Sequence, residues 1–278
     1  MYKVGIVIVN FNGKDYLKDC LKSIKENTPR IDYKIVVVDN NSSDDSIIFL
    51  KQNYPDISII MNKENIGFPI ANNQGTKYLY NRYDPDYFYF LNNDTKVTPG
   101  WLEEVIRVSK KYNAALVTSK QLYYDGKPHD IAGWIKFLGA KYYNGDEDKE
   151  VGWVNGATLL VKKEIIERIG YLNENYSPAY YEETEWEKRI TNAGYKIYYS
   201  PKSVVYHKGM GTSKKVFKTE EMNYYFYRNR IMFFFRYYPK IFFLPRFLVD
   251  VTKCIFQRKI KLLFRAYNDG LNILNNEE

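Results

Sequence analysis

Short β-branched and aromatic runs alternate with helix-spaced apolar stripes through the first 120 positions. The runs are VGIVIV (4–9), KIVVV (34–38), ISIIM (57–61), YFYFL (87–91) and AALVT (114–118). Their near-continuous apolar character predicts strands buried on both faces. Between the first two, Tyr16, Leu17, Cys20, Leu21 and Ile24 recur at helical spacing. Further helices are expected after Ser42 and Ser43, from about Pro69, and from Thr98 and Pro99, read as N-cap and first helical residue. Such βαβαβ alternation predicts a parallel, doubly wound sheet that binds ligands outside the carboxyl ends of its strands. From about 120 to 155 the pattern loosens into Gly-, Tyr- and Asp-containing loops. It resumes with ATLLV (157–161), a helix ending at Gly170, a helix over 182–193, and strands YKIYY (195–199) and SVVYH (203–207). Beyond about 220 the chain turns aromatic and basic.

Polar residues cluster where the strands end. The first strand closes in VNFNG, with Val9 and Asn10, and the second in VVVDNNSSDDS. Asp39 at such an end can accept from a ribose hydroxyl or a base N–H; alternatively Asp39 and Ser42 cap the next helix. The third leads into NKENIGFPIANNQG, where Gly67 lets the backbone pass close to a ligand and Asn72 and Asn73 open a helix. A plain strand-to-helix loop is the other reading, and no GxxxxGK[ST] phosphate loop occurs. The fourth ends LNNDTKV, so Asp94 emerges where it can hold a divalent cation bridging two phosphates, or serve as a turn residue. Glu182, Glu183 and Glu185 open a helix, whose dipole favours the ionised form that a general base needs and is also served by acids for stability alone. His207, one of two histidines, ends a strand before a Gly-rich loop and is a candidate metal ligand or a structural histidine.

Together VIVNFNG, VVVDNNSSDDS, NKENIGFPIANNQG, LNNDT, WVNGATLLVKK, YEETEWEKR and VYHKGMG resemble the family 2 inverting glycosyltransferases with the GT-A fold, over roughly residues 3–213. The Asn-x-Gly-Phe stretch is similar to the rhamnosyltransferase-like and galactofuranosyltransferase-like branch. The resemblance implies an α/β fold with a Rossmann-like, mostly parallel sheet flanked by helices, and a C-terminal helical aromatic and basic extension. It implies a catalytic domain over 1–218, with a nucleotide-sugar half to about 119 and an acceptor half from about 120, followed by the extension over 219–278. Donor-binding candidates are Val9, Asn10, Asp39, Asn65, Gly67, Asn72 and Asn93; Trp153, Gly156, Glu182 and Trp186 fall on the acceptor side. Asp94 and His207 would ligate Mn²⁺ or Mg²⁺ on the diphosphate, and Glu183 would be the acceptor base. Two departures stand out. The family's Asp-x-Asp reads Asn92–Asn93–Asp94 here, leaving one carboxylate, and Glu183 and Glu185 stand where Asp is usual. Trp153 and Trp186 suit stacking on sugar rings or a place in the core. The implied partners are a nucleotide-sugar donor and a glycan or lipid-linked acceptor. A sugar-1-phosphate nucleotidyltransferase is the rival enzyme, but it needs a Gly-rich, Arg/Lys-containing first loop where this chain has VNFNGKD.

Charge changes this picture at one end only. The net charge is +8, yet residues 228–265 hold ten Lys/Arg against one acid, Asp250, so the rest is near neutral. With aromatic residues in that segment, an anionic membrane surface fits better than nucleic acid; packing on the body and a homodimer interface are the alternatives. A non-catalytic lipid- or nucleic-acid-binding protein would leave Asp94, Glu183 and His207 without purpose. Arg236, Lys240 and Arg246 interrupt the apolar stretch, so no span of about twenty apolar residues forms. Cys20 and Cys254 show no metal or disulfide spacing, and the first strand is too short for a secretion signal. A cytoplasmic protein, peripheral on the membrane's cytoplasmic face, is expected.

Overall fold

The computed structural model describes residues 2–136, 139–209, 218–239, 241 and 243–276. The end of VYHKGMG from Met210, and Lys240 of the basic segment, lie outside them. The first half winds as its pattern predicts: β1 (Lys3–Asn10), α1 (Lys14–Asn27), β2 (Asp32–Asp39), α2 (Ser46–Asn53), β3 (Ser58–Met61), α3 (Phe68–Arg82) and β4 (Tyr87–Leu91). Then come β5 (Thr95–Val97), α4 (Trp101–Tyr112), β6 (Leu116–Leu122), β7 (Ala132–Lys136), β8 (Gly139–Tyr142), β9 (Lys149–Val151), β10 (Trp153–Val154) and β11 (Thr158–Lys162). The chain continues through α5 (Lys163–Ile169), a 3₁₀ turn at Glu174–Tyr176, α6 (Glu182–Asn192) and β12 (Ile197–His207). Three C-terminal helices follow: α7 (Thr219–Tyr237), α8 (Phe243–Phe256) and α9 (Ile260–Asn275).

The main sheet is ordered β3-β2-β1-β4-β11-β6-β12-β5, with β9 also on β12. Six of its nine strands run the same way, and β5, β9 and β11 oppose them. Alternate side chains of the buried strands feed two cores. Ile6, Ile8 and Val37 pack with Leu17, Leu21 and Trp101, while Val7, Val36 and Val38 pack on the other face with Leu79, Phe90 and Trp186. The 120–155 region builds a small second sheet, β10-β7-β8.

Four details depart from the sequence pattern. The strand expected at AALVT is not the neighbour of β4, because β11 inserts antiparallel between β4 and β6. The two strands expected at 195–199 and 203–207 are one, β12, with a register shift between Ser200 and Val204. Thr98 and Pro99 do not begin α4. Gly100 takes a left-handed conformation at φ 79°, and the Thr98 hydroxyl donates to the Val204 carbonyl at 2.8 Å, anchoring the turn to β12. The helix after Ser42 starts only at Ser46. Much of the aromatic run in α7 faces protein: Tyr227, Ile231, Met232 and Phe233 are buried, the last two against Tyr176. Among the described residues no helix is long and apolar enough to cross a membrane.

Candidate active site

Parallel pairing brings Asn10 and Asp39 level at the carboxyl ends of β1 and β2. Asn10 donates to Asp39 Oδ2 at 2.9 Å and accepts at Oδ1 from the Asn93 amide at 2.7 Å. Asp39 also accepts from the Ser42 hydroxyl at 2.6 Å and the Ser42 N–H at 2.8 Å. Asp39 therefore holds a turn and caps no helix, and the tip residues of three strands form one buried polar chain. Val9, half-buried, precedes Asn10.

The next loop closes against the other half of the chain. Asn65 Oδ1 accepts from the Asn40 amide and the Gly67 N–H, both at 3.1 Å. Gly67 lies at φ 87°, and a Cβ there would sit 2.3 Å from Ser177 Oγ and 2.7 Å from Pro178 Cα. Only glycine allows that approach; beside it the Phe68 N–H donates to the Pro178 carbonyl at 2.7 Å. Asn72 is buried and donates to the Phe68 carbonyl of its own helix at 2.9 Å, while Asn73 ties α3 to Leu172 and Glu174.

Asp94 and His207 meet because β5 pairs antiparallel with β12. His207 Nε2 lies 3.2 Å from Asp94 Oδ1, both side chains being nearly inaccessible. The other ring nitrogen, Nδ1, is 3.0 Å from Gln121 Oε1, and the Gln121 amide donates to Thr158 Oγ1 at 2.9 Å. An amide oxygen only accepts, so Nδ1 carries the proton and Nε2 is directed at the carboxylate. Sequence reasoning missed Gln121, whose in-facing position on β6 was its one signal, and it missed His129. That second histidine stacks on His207 at 5.2 Å and on Tyr123 at 3.4 Å; burial lowers its pKa. Among the described residues no group of three His, Cys, Asp or Glu could hold a metal; Asp94 and His207 stand as a pair.

The carboxylates of α6 face the loop after β10. The Asn92 N–H donates to the Ala157 carbonyl at 3.0 Å, which places this loop beside the Asn92–Asp94 turn. Next to Ala157, a Cβ on Gly156 would lie 3.3 Å from Glu183 Cδ. Burial raises the Glu183 pKa, opposed by hydrogen bonds from the N–H groups of Glu183, Gly156 and Thr184. Its Oε2 is buried without a hydrogen-bond partner. Glu182 and Glu187 are pushed well above the usual range, first by burial and then by the charge of Glu183. All three carboxyls are thus pushed upward by burial, Glu182 and Glu187 further than Glu183, whose backbone N–H partners oppose the push. Trp153 is half-buried and donates to Thr184 Oγ1 at 3.0 Å. Trp186 is different: it is fully buried against Phe90 and donates to the Gly170 carbonyl at 2.9 Å, so it belongs to the core and stacks on no sugar. Glu185 also points inward, gripping Arg189 at 3.0 Å and accepting from the Tyr237 hydroxyl of α7.

The turn before α6 is strained and held from outside. Tyr180 and Tyr181 both lie at positive φ, 77° and 70°. Asn229 of α7, fully buried, donates to the carbonyls of Tyr176 (2.7 Å), Ala179 (2.9 Å) and Tyr180 (2.7 Å). Arg228 donates to the Ser177 carbonyl. No sequence motif pointed to Asn229, which sits among residues read as a surface segment.

Comparison with known proteins bears on the fold and the family. The chain is 26% identical over 196 residues to the low-salt glycan biosynthesis hexosyltransferase Agl10 of Haloferax volcanii, covering 66% of this chain and 60% of that protein. It is 22% identical over 239 residues to the N-acetylglucosaminyl-diphospho-decaprenol L-rhamnosyltransferase of Mycobacterium tuberculosis, covering 75% and 77%. Among solved structures, GalNAc-T7 with UDP, GalNAc and Mn²⁺ superposes with a TM-score of 0.65 at 16% identity, over 84% of this chain and 48% of that one. S. aureus TarS 1-349 superposes at 0.59 and 12% identity, over 96% and 90%. These likenesses establish the GT-A type of fold. The profile of Glycosyl transferase family 2 matches residues 5–170, more than half of the sequence, and the chain belongs to that family.

Proposed function

We propose that this glycosyltransferase moves a sugar from a nucleoside-diphosphate sugar to an acceptor hydroxyl with inversion, using Glu183 as base. The observation that carries the reading is the setting of Glu183: it stands at the head of α6 beside Gly156, backbone N–H groups oppose the upward push of burial on its carboxyl, and Oε2 is buried without a hydrogen-bond partner. When ionised, such a group has a lone pair ready for a proton. The acceptor O–H passes its proton to Glu183 as the oxygen bonds to the anomeric carbon and the bond to the diphosphate breaks. One displacement inverts that carbon. Asn10, Asp39, Asn65, Gly67 and Asn93 are assigned to the nucleotide side, where strand ends meet the Gly67 loop.

Asp94 and His207 fit a divalent cation: one carboxylate oxygen and one imidazole nitrogen converge, with the tautomer set by Gln121. Nitrogen ligation favours Mn²⁺ over Mg²⁺. Once bound, such an ion neutralises charge on the leaving diphosphate. Two protein ligands leave most of its coordination to phosphate and water. UDP in GalNAc-T7 and in a TarS complex supports a uridine donor class, and the mycobacterial relative's name supports a lipid-linked acceptor. The family assignment removes the nucleotidyltransferase alternative.

The test is Glu183→Gln, expected to lower turnover about a hundredfold or more while leaving donor affinity nearly intact. Near-normal turnover removes Glu183 from the mechanism. For the metal, calorimetry with UDP should show tighter binding with Mn²⁺ than with chelator, and the difference should vanish in Asp94→Ala. Equal affinity in all three conditions excludes a shared ion.

A further inference from the structure

Helix α8 is apolar on two opposite faces, and the fold covers only one of them. Asp250 and Cys254 are buried toward α7 and α9, where Cys254 clusters with Tyr227 and Leu263. On the far side Leu248, Val249, Ile255 and Phe256 are exposed, Ile255 by 59% and Phe256 by 85%. These four lie at i, i+1, i+7 and i+8, and Pro245 and Thr252, also exposed, fill the same stripe. At 3.6 residues per turn the stripe is roughly 120° wide and runs the length of the helix. Phe264 of α9 adds a further exposed ring.

Charge identifies what covers this face. Lys253 borders the stripe on α8 itself, and the chain that follows exposes Arg258, Lys261 and Arg265 and half-exposes Lys259. The one acid between 248 and 265, Asp250, is buried in contact with Arg230 and accepts from the Tyr267 hydroxyl at 2.6 Å, so it does not offset them; Asp269 lies 3.8 Å from Arg265 and offsets that one. Two copies facing each other through this surface would still oppose net positive charge with net positive charge. We propose that the outer face of α8, with its rim of Lys and Arg, docks on an anionic phospholipid bilayer, the apolar stripe entering the interface and the cations meeting headgroups. The helix lies on the surface and does not span it, in keeping with the absence of a membrane-crossing helix among the described residues. The proposal uses no residue of the transferase site and stands independently of the role of Glu183.

The experiment uses the full chain with vesicles of phosphatidylcholine alone or mixed with phosphatidylglycerol. Expected is co-sedimentation with the mixed vesicles only, weakened by salt, since each cation near an anionic bilayer strengthens binding about fivefold. Ile255→Asp and Phe256→Asp, at exposed positions, should each cut the bound fraction at least tenfold with an unchanged circular dichroism spectrum. Should either perturb the fold, Lys253→Gln with Lys261→Gln tests the charge alone and should lower binding more than tenfold. Wild-type protein that ignores mixed vesicles overturns the proposal. So does binding unaffected by these substitutions. A dimer that Phe256→Asp dissociates, with no vesicle binding, assigns the face to a second copy instead.

Discussion

At position 156 a methyl group would lie 3.3 Å from Glu183 Cδ and 3.4 Å from Oε1. The carboxylate would have to withdraw from the N–H groups that hold it, and those bonds are what oppose the upward push of burial on its pKa. A base must be ionised, so activity is lost as pH falls through its pKa. Weakening a hydrogen bond to the carboxylate removes part of what opposes burial, so its pKa rises further. Gly156→Ala should therefore move the acidic limb of the kcat/KM profile to higher pH, with UDP affinity unchanged. A limb that stays in place, with activity intact, means Glu183 is not the titrating base. The motifs WVNG and YEETEWEKR singled out Gly156 and Glu183 separately, through the family resemblance; their contact was not legible, because it joins residues 27 positions apart. Trp186 was not legible. It lies three residues from Glu183 on the same helix, and its direction is decided by Phe90 and Gly170, which no local pattern reveals.

At the scale of elements, α7 acts on α6 from a distance in sequence of about fifty residues. Asn229 satisfies three carbonyls of the turn that ends in the left-handed pair Tyr180–Tyr181, and α6 starts at the next residue. Without those bonds the turn loses the support that holds its strained backbone, and Glu183 loses its fixed place. Asn229→Ala should lower the melting temperature by several degrees, since buried carbonyls left unpaired cost about 1–3 kcal/mol each. It should also lower kcat more than tenfold below the melting transition, with UDP affinity unchanged. Turnover that survives the loss of stability would confine Asn229 to a structural role. The elements themselves were largely written in apolar period: β4 matches YFYFL residue for residue, and α3 and α6 begin within a residue of their expected starts. The start of α4 was misread because Thr98–Pro99 mimics a cap. The bond of Thr98 to Val204, 106 positions away, prevails over that local preference.

For the molecule as a whole, the same asymmetry between local and distant information holds. Alternating strands and helices announced a doubly wound sheet, and the polar residues at their ends announced the cluster that gathers at one edge of it. β11 was read as a strand but its place was not, because its insertion depends on pairings across about 40 to 75 positions, and the short strands β5 and β7–β10 were not read at all. That insertion governs how the protein can be made. When the ribosome has released the first 122 residues, β4 has an open edge toward β11, and β6 has no partner yet, since it pairs only with β11 and β12. The nascent N-terminal half must wait with an open edge, a hazard for aggregation, until Thr158–Lys162 clears the exit tunnel. Splitting the gene between the two halves should therefore yield two insoluble polypeptides, and rapid or stalled translation across 123–157 should lower the yield of native enzyme more than the same disturbance after β12.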